Sequence, residues 1–350
     1  MRCNIKQPSS LGSSETPREA TFFHPQQTQL TPPFILSKKR IFTNIRMTTT
    51  QAYQSKEQNS GYKETDFNFS TFLEKYQPHT NINKTQNTTF LEWFVGFSEG
   101  DGSFFMTRKR NYFVINQKDL TLLYKIQAYL GFGVVFEYMQ NGEKIGRYAV
   151  QSPKNCLKIA TIFNGNLVLE KTNARFTKWL KGLKLSRIEL KSQVDFTTSW
   201  FAGFTDAEGC FYGRVRKQKR MKTGFQFLRK FCLGQKSEYE ILHKINVLVK
   251  SNGKIHIDKK AKGVSSIPST PDYKLEISSA ESNHLLLNYF RVHPCLGKKR
   301  FALGIYMNLD KCVQRQDHLN LQGLKKIQRL CKLLKKYNSP KKIFVDERSL

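Results

Sequence analysis

The sequence predicts an α+β fold: two tandem αββαββα repeats about an internal pseudo-two-fold axis, each an antiparallel β-saddle with its helices on the opposite side. Three observations carry this. A ten-residue stretch occurs twice, WFVGFSEGDG at 93–102 and WFAGFTDAEG at 200–209, with five positions identical and five exchanged for similar residues. Each copy is followed by the same succession of alternating and helically spaced segments. A Gln-Lys pair closes the first hairpin of each half, at Gln117-Lys118 and Gln235-Lys236.

Residues 1–85 are rich in Ser, Thr, Gln, Asn and Pro and keep neither a 3.6 nor a 2 period, so they read as a disordered or loosely attached extension. The first 46 residues are basic, hydroxyl-rich and acid-poor, which suits an organelle transit peptide and equally suits an untidy leader. The first half, 86–190, opens with a helix from Phe90 through the motif. Residues 103–109 and 111–117 alternate as a hairpin. A helix over 118–130, with Leu122, Leu123, Ile126 and Leu130 on one face, runs to Gly131. A second hairpin over 134–140 and 145–151 turns at Asn141-Gly142. Ser152-Pro153 starts the next helix as N-cap and first-turn proline, and a helix over 171–183 closes the half.

The second half, 191–312, repeats the order. Strands at 210–216 and 225–233 flank a basic tip, a helix covers 241–249, and strands at 254–258 and 273–278 form the second hairpin. Ser279 caps a helix to Phe290, and 298–309 is helical again. Residues 313–350 form a Lys-rich C-terminal amphipathic helix and tail, its charge a solvated face.

The repeated stretch has its own logic. As a helix it places Gly96 and Gly100, and likewise Gly203 and Ala207, one turn apart on a face that is nearly bare, so that two helix backbones approach closely. The flanking Trp and Phe residues then fill the two half-cores. Each helix is expected to stop at Gly102 or Gly209 in the left-handed conformation. Asp101 and Glu208 fall at helix C-termini, where the helix dipole adds to the carboxylate charge. Two such ends side by side call for cations, and hard divalent ions with oxygen ligands suit them best.

With 58 Lys+Arg against 27 Asp+Glu, the formal net charge is +31, which points to a polyanionic partner, nucleic acid first. The basic residues are spread over strands and helices, which disfavours a membrane-surface helix, and no apolar run approaches the ~20 residues of a bilayer span. The seven cysteines show no CxxC pair or zinc-ligand spacing and read as reduced packing residues. The saddles suit a duplex, with strands in the major groove. The hairpins concentrate the candidate DNA contacts Arg108, Arg110, Lys144, Arg147, Arg214, Arg216 and Lys219. Metals held between Asp101, Glu208 and the phosphates would activate water. Lysines would offset phosphate charge, with Lys171 and the pair Lys298-Lys299 as candidates, and Gln117 and Gln235 would position the water.

The two stretches resemble the LAGLIDADG motif of homing endonucleases, and residues 90–309 resemble its single-chain, two-motif form. The resemblance also covers the Gln-Lys pair and Asn164-Gly165-Asn166-Leu167 with Lys171 after it. It implies that Asp101 and Glu208 bind a divalent metal, usually Mg2+, with Lys and Gln helpers at Lys171, Lys298 or Lys299, Gln117 and Gln235. It implies a monomeric endonuclease cutting both strands of a long double-stranded DNA target, encoded in an organellar intron, with no membrane partner. Phenylalanines replace the motif's leucines, and one acid is Asp while the other is Glu, which puts equal cutting of the two strands in question. The alternative is a maturase that binds its own intron RNA and assists splicing; both acids favour the nuclease. The 27 Phe and the abundance of Lys, Asn and Ile fit AT-rich organelle DNA, mitochondrial first and chloroplast as the alternative.

Overall fold

The computed structural model describes residues 67–76, 84–107, 110–189, 194–257 and 271–338, all within one compact unit spanning 61–350. The expected transit segment and most of the 1–85 extension lie outside these residues. Residues 67–76 of that extension are anchored, not loose. Phe67, Phe69 and Phe72, the last on α1 (Ser70–Lys75), are buried against the first half. Asn68 N donates to Asn166 Oδ1 and Asn166 Nδ2 to Asn68 O, both at 2.8 Å. Burying three phenyl rings at about 1.5–3 kcal/mol each holds a segment whose polar composition hides it.

The motif helix α2 (Lys84–Asp101) begins before Phe90 and runs directly into β1 (Gly102–Met106), which pairs with β2 (Asn111–Gln117). Next, α3 (Leu120–Leu130) ends on left-handed Gly131, φ 69°. The hairpin of β3 (Val134–Gln140) and β4 (Glu143–Val150) turns at Asn141 and Gly142, φ 51° and 73°, the doubly left-handed turn that matches strand twist. Ser152 Oγ accepts from Asn155 N at 3.3 Å to start α4 (Pro153–Phe163), and α5 (Glu170–Gly182) closes the half.

The second half runs α6 (Trp200–Glu208), β5 (Gly209–Lys217), β6 (Phe225–Lys236), α7 (Tyr239–Leu248), β7 (Ile255–Ile257), β8 (Asp272–Ile277), α8 (Ala280–Val292) and α9 (Lys299–Gln314). The two sheets share one topology, β1-β2-β4-β3 and β5-β6-β8-β7, all pairs antiparallel. The duplication is therefore structural as well as sequential.

Strand parity gives each sheet one face under the helices and one that none of the described helices covers. Phe104, Phe113 and Tyr148 point to the helices and meet Phe163, Phe176 and Trp179 in an aromatic core, with ring centroids 5.0–5.5 Å from Phe104 to Phe113 and to Trp179. Phe211, Phe231, Phe290 and Tyr306 do the same in the second half.

The basic C-terminal helix α10 (Leu321–Asn338) is not a separate appendage. Leu324, Ile327 and Leu334 are buried, and a Cβ on Gly213 of β5 would meet Cys331 Sγ at 3.2 Å and Leu309 Cδ1 at 3.0 Å. Asn338 Nδ2 donates to Phe211 O at 2.6 Å. The helix closes the second half with its apolar stripe and leaves its lysines in solvent; residues 339–350 lie outside the described part.

Candidate active site

The motif helices meet at their glycines. A Cβ on Gly96 would lie 2.0 Å from Trp200 O, one on Gly203 would lie 1.8 Å from Trp93 O, and one on Gly100 would lie 2.3 Å from the Ala207 Cβ. Any side chain at the first two positions would overlap a backbone, so α2 and α6 touch main chain to main chain. Neither terminal glycine is left-handed, which corrects the expectation for Gly102 and Gly209. Gly209 is extended, φ −72° and ψ 151°. The reason for glycine is steric: each strand folds straight back along the last helical turn, where a Cβ would meet Ser98 O at 2.5 Å or Thr205 Cγ2 at 2.6 Å.

A pair of cross-links absent from the sequence reading locks this arrangement. Trp200 Nε1 donates to Glu99 Oε2 at 2.6 Å, and Trp93 Nε1 donates to Asp206 Oδ2 at 3.0 Å. Glu99 Oε1 also accepts from Val168 N and Leu169 N, at 2.9 and 2.7 Å, and Asp206 Oδ2 from Leu296 N and Gly297 N, at 2.6 and 3.1 Å. Each buried acid thus ties the other copy's tryptophan to the chain leading into its own half's closing helix. Burial pushes Glu99 up to about 8 against the pull of these N–H donors. The recurrence of a Trp and an acid six residues apart in both copies was the available signal.

The next acids along, Asp101 and Glu208, stand together at the helix ends: Glu208 Cγ lies 3.1 Å from the position a Gly100 Cβ would take. Gln117 Nε2 donates to Asp101 Oδ2 at 2.7 Å. In the other half Gln235 is buried and its Oε1 accepts from Lys171 Nζ. Lys299 Nζ donates to Thr205 O and Ala207 O, at 3.0 and 2.7 Å, so an ammonium caps the end of α6. Burial, then the neighbouring Glu208, raises the Asp101 carboxyl from 3.8 to about 6, with Lys299 and Gln117 opposing. Burial also raises Glu208 against Lys171, Lys299 and Gln235. It lowers both lysines, while the acids pull them back up.

Of the adjacent pair, only Lys299 reaches the acids. Lys298 is exposed, donates from Nζ to Lys118 O at 3.3 Å and sits 3.8 Å from Asp119 Oδ1. Its backbone N donates to Asp119 Oδ2 at 2.8 Å, as Lys171 N does to Glu238 Oε1. Each half therefore caps the other's closing helix with a carboxylate.

The donor set can be tested for a metal. Two water-poor carboxylates with raised proton affinity, on converging helix C-termini, suit a hard cation with oxygen ligands and leave positions for phosphate oxygens and water. Among the described residues no group of three or more His, Cys, Asp or Glu forms a closed cage. The donor set fits a hard divalent cation with oxygen ligands.

The proposed DNA contacts divide. Arg147, Arg214 and Arg216 stand on the helix-free faces. Arg147 Nε donates to Asn116 Oδ1 at 2.7 Å, with its guanidinium 5.2 Å from the Tyr138 ring centroid. Arg216 donates from Nε and Nη2 to Gln226 Oε1, at 3.0 and 2.8 Å. Arg110 and Lys219 are exposed in the hairpin turns. Lys144 is a correction: its partner across the strands is Met139, on the helix side by parity, and it is ion-paired with Glu137. Arg108 lies outside the described residues.

Two pseudo-symmetric α+β halves, joined at a bare helix pair that ends in two acids, define a single-chain, two-motif protein of the homing-endonuclease fold. The chain belongs to the LAGLIDADG endonuclease family, whose model matches residues 94–183 and 201–309. It is 30% identical over 245 residues to a probable intron-encoded endonuclease 4 of Neurospora crassa, covering 67% of this chain and 42% of that protein. It is 24% identical over 241 residues to the intron-encoded RNA maturase bI4 of Saccharomyces cerevisiae, covering 66% and 34%. The chain thus spans less than half the length of these two relatives. The crystal structure of the I-SmaMI LAGLIDADG homing endonuclease bound to cleaved DNA superposes with a TM-score of 0.57 at 19% identity, over 71% of this chain and 98% of that one.

Proposed function

We propose that this protein is a sequence-specific, metal-dependent endonuclease that cuts both strands of a long DNA target, as intron homing requires. The observation that carries this is the meeting of Asp101 and Glu208 at the ends of two helices packed backbone to backbone. One acid per half gives each strand one carboxylate beside its scissile phosphate, Asp on one side and Glu on the other. Asp101 and Glu208 would hold Mg2+, which when bound supplies an acidified water and neutralises the leaving oxygen. Gln117 fixes one oxygen of Asp101; Gln235 takes Lys171 on its Oε1 and keeps a buried Nε2 without a hydrogen-bond partner among the described residues, which would hold the water beside Glu208. Lys171 and Lys299, poised in a water-poor site, offset charge gathering on the phosphate.

The helix-free faces of the two sheets seat the duplex, with Arg147, Arg214 and Arg216 toward the groove. Both acids come from one chain, so a monomer suffices. Among the described residues no helix is long and apolar enough to cross a membrane. The AT-leaning composition and the intron-encoded relatives support an organelle, the mitochondrion first. The likeness to the yeast maturase supports a second reading, in which the protein assists splicing of its own intron RNA; the intact acid pair favours cleavage.

The test is cleavage of a plasmid carrying the intronless target with Mg2+, comparing wild type with Asp101→Asn and Glu208→Gln. Both substitutions are expected to abolish double-strand cutting. Full cutting by both variants removes the acids from the chemistry, and a wild type that speeds splicing but never cuts establishes the maturase reading.

A further inference from the structure

The two helix-free faces carry unlike chemistry. On the first sheet Phe105 and Tyr112, on β1 and β2, stack with centroids 4.9 Å apart, and Phe136 and Tyr138 lie on β3 at the other edge. Phe105, Phe136 and Val134 are 41%, 42% and 58% exposed, an apolar surface with none of the described helices over it. Among the described strand residues on this face Arg147 is the only cation, laid over the Phe136 and Tyr138 rings at 5.8 and 5.2 Å.

On the second sheet the described strand residues of the same face include five cations, Arg214, Arg216, Lys230, Lys236 and Lys274, with Tyr212 among them. Lys230 and Lys274 are both tied to Glu276, at 2.5 and 3.1 Å. Arg216 spends its Nε edge on Gln226, which holds the guanidinium rigid and leaves its Nη1/Nη2 edge open.

In the major groove only thymine offers a methyl group, and guanine offers two adjacent acceptors, O6 and N7, that match a guanidinium fork. An apolar face gains by covering methyls, and an oriented arginine gains by finding guanine. Two equal sheets would read a palindrome; these two are unequal.

We propose that the two halves of the target are read by different chemistry, methyl cover on one side and guanidinium forks on the other. A thymine-rich half-site lies under the first sheet, read through C5 methyls with a single guanine for Arg147. A guanine-bearing half-site lies under the second sheet, read by Arg214 and Arg216. This rests on the endonuclease reading above.

The experiment selects cut duplexes, with Mg2+, from a pool randomised in both halves. It then competes the selected target against versions carrying uracil for thymine, or 7-deazaguanine for guanine, in one half at a time. Uracil in the first half-site is expected to lower relative kcat/KM about four-fold per contacted methyl, and in the second half-site to leave it unchanged. 7-Deazaguanine under the second sheet should cost at least about five-fold per contacted base. Phe136→Ser should erase part of the uracil penalty in the first half alone, and Arg216→Gln should relax one guanine position in the second alone. Equal uracil penalties in both halves, or a selected pool of one composition throughout, overturn this proposal and leave the endonuclease reading standing. A pool from which nothing is cut overturns both.

Discussion

Gly96→Ala tests the helix junction directly. The added Cβ would lie 2.0 Å from Trp200 O and 2.9 Å from Phe204 N, both main-chain atoms that cannot swing aside. A carbon against a carbonyl oxygen needs about 3.3 Å, so α2 and α6 must part by about 1.3 Å there. That movement stretches Trp93–Asp206 and Trp200–Glu99 together and draws Asp101 away from Glu208. Overpacking of this kind costs about 3 kcal/mol. At about 2–4 °C per kcal/mol for a unit of this size, Tm should fall by about 6–12 °C. Gly304→Ala is the control. Its Cβ would meet nothing within 4 Å on α9, and the substitution should stabilise by about 0.5–1 kcal/mol. The assay is thermal unfolding beside cleavage of the target. A Gly96→Ala protein that melts with wild type and cuts at full rate refutes backbone contact between the motif helices.

Three further outcomes follow from the site. Lys299→Met should remove cleavage, whereas Lys298→Met should leave it within a few-fold, measured as single-turnover rates on the same target; the reverse order would misplace the lysine. The raised Asp101 carboxyl, 3.8 to about 6, means that its ionisation beside Glu208 costs folding free energy. The Asp101 contribution to apo stability is therefore fullest below about pH 4, declines as pH rises to about 6, and is recovered on adding Mg2+; the difference in melting temperature between Asp101→Asn and wild type should grow over that window and shrink with Mg2+. Arg229 and Asp310 form a buried ion pair between β6 and α9, each under a tenth exposed. Arg229→Met leaves Asp310, among the described residues, with Gln314 alone and should destabilise by about 3–5 kcal/mol in urea unfolding.

What was legible in the sequence was whatever depends on local repetition. The bare strip at Gly96, Gly100, Gly203 and Ala207 shows as a spacing, the Asn141-Gly142 turn as a dipeptide, and Ser152-Pro153 as a cap. The two acids were legible because the stretch that contains them is written twice. What stayed hidden depends on registers set by tertiary contact. Lys298 and Lys299 differ by one step, about 100° around a helix, and only docking of α9 decides which one turns inward. Lys144 fell on the wrong face because strand parity needs the pairing register, and one residue reverses it. The Trp–acid cross-links join residues more than a hundred apart. Phe67, Phe69 and Phe72 were lost in a polar tract whose average says disorder. Gly102 and Gly209 stand out in the sequence as helix ends, but what requires glycine there is steric rather than conformational.

The central claim is that one divalent ion site is shared by Asp101 and Glu208. Crystals of the protein with its target duplex, grown with Mn2+ and measured at the manganese absorption edge, locate that ion without reference to activity. The account predicts an anomalous peak in contact with carboxylate oxygens of both acids and with DNA phosphate. A peak bound elsewhere, or one touching neither acid, would contradict it.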